Sequence, residues 1–136
     1  MKLPTIDVDR WRLRSGEASH RASPDKFWIP PREDRQNLRV GQAAKLIFEI
    51  STFNEDGSTA TSGERMWVIV SERVGDGYIG ILDNEPVSVD EAELSYLCRG
   101  AEVPFLPEHV IDIADPPCDY AQQRLSEQPS RVWSRS

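Results

Sequence analysis

Hydrophobic and polar positions alternate most clearly in the middle of the chain. Between residues 44 and 50 every second residue is apolar, and the four that share a face are Ala44, Leu46, Phe48 and Ile50. A period of two predicts a half-buried strand. Residues 66–70 carry apolar groups at both even and odd positions, which face opposite sides of a strand, so we expect a central strand that is covered on both faces.

A tight turn follows this second strand. Asp76-Gly77 is typical of a hairpin turn, because glycine adopts a positive φ without a steric penalty. The segment 78–82 is the predicted return strand. Gly80 lies inside it and predicts a bulge or the close approach of another chain segment.

The remaining pattern predicts short elements. Residues 54–63 are small or polar and are expected to form a loop. A capping-box spacing at Ser88 predicts a short helix from about Val89 to Tyr96. Residues 101–105 and 109–113 are predicted strands. Pro116-Pro117 is expected to open a last helix that runs through Leu125, and the tail after Glu127 is expected to be frayed.

These elements predict one β-rich α+β domain, with three parts along the chain. Residues 1–26 are interpreted as an N-terminal arm with at most one helical turn, residues 27–114 as a single globular domain, and residues 115–136 as a short helix and tail. The large apolar residues of Phe27–Ile29, ahead of two prolines, are expected to dock into the core. The predicted centre is a curved antiparallel sheet of about five strands, open or rolled towards a small, partly open barrel, with one or two short helices.

The charge balance excludes some partners. Among the 136 residues, 23 Asp and Glu face 16 Lys and Arg, which gives a net charge of −7. A nucleic-acid-binding protein normally needs a basic surface to displace phosphate counterions. We therefore expect no nucleic acid as a partner, and a basic protein or a cationic small ligand instead.

Membrane and cofactor signals are missing from the sequence. No apolar run approaches the ~20 residues of a membrane helix, and the N-terminal residues do not form the apolar stretch of a signal peptide. We therefore expect a cytoplasmic protein that does not associate with membranes. No glycine-rich phosphate loop is present, Cys98 and Cys118 lack metal-ligand spacing, and we expect no cofactor and no metal ion.

Two motifs carry a resemblance to a known group. Glu64–Val68 fits a "Glu-x-x-Trp-Val" strand, and Gly80–Pro86 fits a "Gly-x-Leu-x-Asn-x-Pro" turn; Gly100–Val103 and Pro107–Ile113 follow in the same order. Together they resemble small bacterial proteins classed only as a domain of unknown function. The resemblance covers about residues 27–114. It implies a compact β-rich α+β domain and supplies no catalytic residues.

The candidate binding surface lies in the same two motifs. A tryptophan beside fixed carboxylates suits a cationic ligand or a basic segment of a partner. If the second strand bulges or ends there, one surface can hold five residues: Glu64, Trp67, Asp83, Asn84 and Glu85. The alternative is that Trp67 is an ordinary core residue. Asp83-Asn84-Glu85 also resembles a hard-cation site, although the alternating pattern of calcium loops is missing.

Three functions are compatible with these observations. The favoured one is a non-catalytic interaction or regulatory module with an acidic surface, either a monomer or a homodimer. The second is a small hydrolase or isomerase that uses Glu64, Asp83 or Glu85 with His109. The third is a self-assembling protein that exchanges the arm Met1–Lys26 between subunits.

Overall fold

The computed structural model describes residues 1–88 and 95–136. The strands are β1 Trp11–Leu13, β2 Ala43–Phe53, β3 Thr59–Val74, β4 Gly77–Leu82, β5 Glu102–Phe105 and β6 Asp112–Ala114. The helices are α1 Ile6–Asp9, α2 Gly16–Ala22, α3 Arg32–Gln36 and α4 Cys118–Ser126, with a 3₁₀ helix at Pro107–His109. The predicted helix at about Val89 to Tyr96 falls largely outside the described residues.

One antiparallel sheet organises these elements. Its strand order is β1-β2-β3-β4-β5, and β6 pairs with the start of β2 beyond the end of β1. The sheet curls into a half-barrel, and short helices accompany it. This architecture confirms the α+β fold class expected from the sequence.

The β3–β4 hairpin confirms the predicted strand pair, but its turn is Gly75-Asp76 and not Asp76-Gly77, because Gly77 is already the first residue of β4. Gly75 has a φ of 58° in the turn, and Val74 pairs with Gly77. The register shifts between Val70 and Glu72, so the bulge lies in β3, opposite the Gly80 region of β4. A Cβ on Gly80 would stand 2.7 Å from Val68 Cγ2, so the glycine also allows two chain segments to approach closely.

The main core packs against one face of the sheet. Strand β2 contributes Ala44, Leu46, Phe48 and Ile50, which are all buried, as their alternation predicts. Tyr78 and Phe105 stack at a centroid distance of 5.2 Å, and Trp11 stacks on Phe48 at 5.9 Å. Apolar burial of this kind is the main stabilising contribution to such a domain.

Both ends of the chain carry structure that the pattern did not predict. Residues 1–26 contain two helices and a strand, and β1 pairs with β2 through Trp11 and Ile50. The expectation of at most one helical turn there is wrong. The expectation of a frayed tail is also wrong, because Arg131 forms a bridge with Ala101 and Trp133 packs against the core.

The last predicted elements shift slightly. Helix α4 ends at Ser126, close to the predicted end at Leu125. The predicted strand at 109–113 begins later, because Pro107–His109 forms the 3₁₀ helix and β6 starts at Asp112. Pro104 lies in β5, the last strand in the sheet order, as expected for a residue without an N–H.

Candidate functional site

The loop after β4 brings several residues of the predicted surface together, but their polar groups form hydrogen bonds and ion pairs within the chain. Asn84 Oδ1 accepts a hydrogen bond from the Trp67 backbone N–H at 2.6 Å, and the Asp83 N–H donates to the Trp67 carbonyl at 2.9 Å. These two bonds extend the β3–β4 pairing past Leu82. The amide of Asn84 therefore takes the place of a strand partner.

Glu64 fixes the next turn of the same loop. Its carboxylate accepts hydrogen bonds from the backbone N–H groups of Val87, at 3.0 Å, and Ser88, at 2.7 Å. Burial acts to raise the pKa of Glu64, but these hydrogen bonds outweigh it and hold the pKa below its ordinary value. Glu64 is thus an ionised clamp on the loop.

Asp83 anchors helix α4. Its carboxylate lies 3.1 Å from Arg124 Nε and 3.7 Å from Arg99 Nη2, and it accepts a hydrogen bond from the Tyr120 hydroxyl at 2.7 Å. The bond to Asp83 is the main reason that the pKa of Tyr120 is raised. The contact with Arg124 Nε is an ion pair without a well-directed hydrogen bond. The charge of Asp83 is therefore balanced within the chain.

Trp67 and Glu85 complete the predicted set. Trp67 is half-buried, and Lys45, its neighbour across the strand pair, places Nζ 5.6 Å from the ring centroid. The chain thus supplies its own cation to this ring. Glu85 is exposed and lines a shallow pocket of about 250 Å³ beside Arg99 and Arg124.

His109 is not arranged as a general base. Its Nδ1 accepts a hydrogen bond from the Leu106 backbone N–H at 3.0 Å, and its Nε2 lies 3.9 Å from Glu108. Burial lowers the pKa of His109, against the opposing effect of Glu108 and Glu17. Within residues 1–88 and 95–136, no group of three or more His, Cys, Asp and Glu side chains is placed to hold a metal ion.

A second region of the surface combines a tryptophan with carboxylates, the combination that the sequence predicted around Trp67. Trp28 is 66% exposed and stands on the wall of an open groove of about 610 Å³. The expectation that Trp28 docks into the core is wrong. We call this region the Trp28 groove; its wall is formed by Trp28, Pro30 and Pro31, and its charged residues are Glu33, Asp34, Arg39, Asp112 and Asp115.

The groove carries a net charge of −3, from four carboxylates and one guanidinium. Arg39 faces Asp115 at 3.7 Å, and Gln42 donates to the same carboxylate at 3.0 Å. Neither Glu33 nor Asp34 forms an ion pair with any described residue. Two exposed carboxylates therefore remain to attract a cation beside an exposed indole.

A buried arginine holds the wall of the groove in place. Arg35 is 4% exposed, and it donates to the Pro30 carbonyl at 2.9 Å and to the Pro107 carbonyl at 3.0 Å. It also pairs with Glu17 at 2.6 Å. This hydrogen bond is the main cause of the lowered pKa of Glu17. A carboxylate and two carbonyls thus satisfy the guanidinium and fix the path of the prolines.

The segment before the prolines explains why Trp28 points outward. Consecutive residues of an extended chain face opposite sides, so three large apolar residues in a row cannot all enter the core. Phe27 and Ile29 are half-buried, and Trp28 between them is exposed. His20 Nδ1 donates to the Phe27 carbonyl at 2.7 Å and secures the segment to α2. This alternation was the signal in the sequence that could have identified Trp28.

No helix among the described residues is long and apolar enough to cross a membrane. No family model, curated protein or solved structure matches the chain. The resemblance to a domain of unknown function therefore stays a prediction that rests on the motifs at Glu64–Val68 and Gly80–Pro86.

Proposed function

We propose that the protein is a non-catalytic interaction module that binds an arginine-containing segment of a basic partner protein in the Trp28 groove. One observation carries this proposal: the most exposed tryptophan side chain of the described chain stands beside carboxylates that no internal cation neutralises. Large exposed aromatic residues are enriched at the energetic centres of protein interfaces.

Arginine is the side chain that this chemistry fits best. Its planar guanidinium stacks on an indole ring and at the same time donates hydrogen bonds to carboxylates. A cation over a tryptophan face contributes about 0.5–1 kcal/mol at an exposed site. Glu33 and Asp34, on the first turns of α3, are the carboxylates that such a guanidinium would pair with.

The size and openness of the region favour a segment over a folded surface patch. The volume of about 610 Å³ is that of a site for a few side chains. The net charge of −7 would also speed the association of a basic partner at low salt. Each exposed ion pair contributes little to the affinity, so we expect the affinity to depend mainly on Trp28. The carboxylates should make the affinity fall as the salt concentration rises.

The test uses a fluorescein-labelled octapeptide of alternating glycine and arginine, read by anisotropy at low salt. The full chain should bind this peptide. A glycine–lysine peptide should bind more weakly, and a glycine–glutamate peptide should not bind. Trp28→Ala should weaken binding by about fivefold to thirtyfold. Phe53→Ala removes an aromatic side chain of similar exposure outside the groove, 57%, and should leave the affinity unchanged.

Charge is tested with two matched double variants. Glu33→Gln/Asp34→Asn should weaken binding and reduce its salt dependence, whereas Glu55→Gln/Glu85→Gln changes the net charge equally and should have little effect. Equal loss in both double variants, or full binding by Trp28→Ala, would overturn the groove as the site. If free arginine competed as well as the peptide, the ligand would be a small cation and the segment proposal would be wrong.

The other two functions stay predictions from the sequence. For the hydrolase or isomerase, Glu64 and Asp83 are occupied by internal contacts, and Nδ1 of His109 is occupied by the Leu106 N–H. For self-assembly through the arm Met1–Lys26, β1 already pairs with β2 of the same chain. Neither function gains a specific supporting observation.

A further inference from the structure

The C-terminal tail, residues 129–136, pairs through one isolated parallel bridge with the residues that lead into β5. The Ser130 N–H donates to the Gly100 carbonyl at 3.0 Å, and the Glu102 N–H donates to the Arg131 carbonyl at 3.0 Å. Ala101 and Arg131 form a parallel bridge between these bonds. An extended segment that adds to a sheet edge in this way is a common mode of peptide recognition.

The side chains of the tail alternate as those of a bound peptide do. Val132 is 70% exposed and Ser134 is exposed, whereas Trp133 is half-buried against the core; Arg135 is itself exposed, but its guanidinium reaches back to Glu102. Specificity in strand addition comes from the pockets that receive alternate side chains. Here two such positions are filled, by an indole and by a guanidinium.

The indole of Trp133 enters a pocket with aromatic walls. Its ring meets Trp11 edge-to-face at a centroid distance of 5.8 Å and Tyr96 at 5.4 Å. Trp133 Nε1 donates to the Lys2 carbonyl at 2.7 Å. The pocket therefore satisfies both the apolar body and the polar edge of the ring.

The guanidinium of Arg135 meets a carboxylate that is otherwise enclosed by the protein. Glu102 is 5% exposed, and its carboxylate accepts hydrogen bonds from Arg135 Nη2 at 2.8 Å and from the Trp133 backbone N–H at 2.9 Å. Arg135 also pairs with Glu72. Among the described residues, Arg135 supplies the ion pair of Glu102, and a buried carboxylate without a cation is costly.

We propose that this edge of β5 is a peptide-binding site whose resident ligand is the tail, and that a partner displaces the tail with an extended segment in which an aromatic residue precedes an arginine by two positions. We call it the β5 edge site. Its chemistry is complementary to that pattern: an aromatic pocket, a backbone carbonyl and N–H that the tail now occupies at Gly100 and Glu102, and a buried carboxylate. The site is separate from the Trp28 groove, and the proposal does not depend on the proposed function.

The attachment of the tail is suited to exchange. The tail is held by backbone hydrogen bonds at Ser130, Arg131 and Trp133, by the Ser130 hydroxyl on the Arg99 carbonyl and by the side chains of Trp133 and Arg135, and residues 127–129 form no regular element between α4 and the tail. Segments held by few buried contacts open locally without unfolding the domain. A tethered ligand also competes at an effective concentration in the millimolar range, which prevents weak ligands from displacing it.

The experiment measures binding in trans to the full-length chain. The probe is a fluorescein-labelled peptide with the tail sequence Ser130–Ser136, and Trp133→Ala/Arg135→Ala weakens the competing tail. We expect this double variant to bind the probe at least about tenfold more tightly than the wild type, because its own tail no longer competes. Val132→Ala/Ser134→Ala alters the two outward positions and should behave like the wild type.

Peptide variants test the recognition pattern directly. A probe with alanine at the positions of Trp133 and Arg135 should not bind, and one with alanine at the positions of Val132 and Ser134 should bind normally. Absence of probe binding to a folded double variant, or equal binding of all the probes, would overturn the proposal.

Hydrogen exchange of the wild-type chain gives a second test that needs no variant. The amides of Trp133 and Glu102 form their hydrogen bonds between the tail and the rest of the domain. They should exchange faster than the amides of Val68 and Ile81 on the paired strands β3 and β4. If all four exchanged only with global unfolding, the tail would be a fixed part of the domain and the proposal would be wrong.

Discussion

The phenol of Tyr78 donates a hydrogen bond to the backbone carbonyl of Arg35 at 2.9 Å. The same oxygen accepts one from the Leu38 N–H at 3.2 Å, and Tyr78 is fully buried. A single hydroxyl thus joins the middle of the sheet to the end of α3, the helix that borders the Trp28 groove. The position of the groove depends on this contact with the core.

Tyr78→Phe removes the hydroxyl and keeps the ring. The Arg35 carbonyl and the Leu38 N–H then lose their partner in the interior, and we expect the free energy of unfolding to fall by about 1–3 kcal/mol. Urea denaturation measures this change. Tyr120→Phe is the control, because its hydroxyl is more exposed and its loss should cost less; equal losses would contradict the role of Tyr78.

Gly80→Ala tests the close approach of β3 and β4. The new methyl group would meet Val68 Cβ at 2.9 Å and Phe105 Cε1 at 3.2 Å. Overpacking of this kind costs about 1–3 kcal/mol, which a thermal melt would show as a lower midpoint. Gly63→Ala in β3 meets only the end of the flexible Arg14 side chain, at 3.6 Å, and should be neutral or slightly stabilising.

The exposure of Trp28 predicts a fluorescence result. Trp11 is 2% exposed, Trp67 and Trp133 are half-buried, and Trp28 is 66% exposed. Acrylamide, a neutral quencher that the acidic groove does not repel, should therefore quench the wild type more strongly than Trp28→Phe, which lacks the accessible ring. Unchanged quenching in Trp28→Phe would show that the indole is covered in solution, and the groove would then lose its central residue.

Glu17 predicts how stability depends on pH. Its hydrogen bond to Arg35 lowers its pKa from an ordinary value of 4.5, so the folded protein binds this proton more weakly than the unfolded chain. The resulting stabilisation is complete above about pH 4.5 and is lost as the pH falls through the folded pKa.

We expect Glu17→Gln to be less stable than the wild type at neutral pH and to lose less stability on acidification. Chemical denaturation between neutral and acidic pH measures both effects. Glu55→Gln, at an exposed position in the β2–β3 loop, is the charge-matched control. If Glu17→Gln lost stability as steeply as this control, the contact with Arg35 would not be the source of the pH dependence.

The sequence predicted local elements better than long-range ones. The β3–β4 hairpin follows from the Gly-Asp-Gly run at residues 75–77 and the apolar segments on either side, although the turn itself lies one residue earlier than Asp76-Gly77. Strand β1 has only three residues, and it forms because Trp11 finds a place opposite Ile50. The local pattern of residues 1–26 does not indicate that Ile50 is the partner of Trp11.

The same limit applies to the candidate sites. The motif around Trp67 and Asn84 is conspicuous in the sequence, but the structure uses it to close a loop. Alternation along Phe27–Ile29 could have shown that Trp28 faces away from its two neighbours, but the wall of the groove depends on Arg35, which holds Pro30, and the docking of Trp133 depends on Glu102. These contacts become visible only when the chain is folded, because each joins segments with unrelated local patterns.

The aromatic contact of Trp11, Tyr96 and Trp133 has a consequence for the order of folding. Its members lie far apart along the chain, so bringing them together closes long loops, whereas β2, β3 and β4 pair with sequence neighbours. Loop closure makes such distant contacts slow to form. We therefore expect the central meander to pair first and the two ends of the chain to settle onto it afterwards, so the aromatic pocket, which needs Trp11, would be completed late in folding.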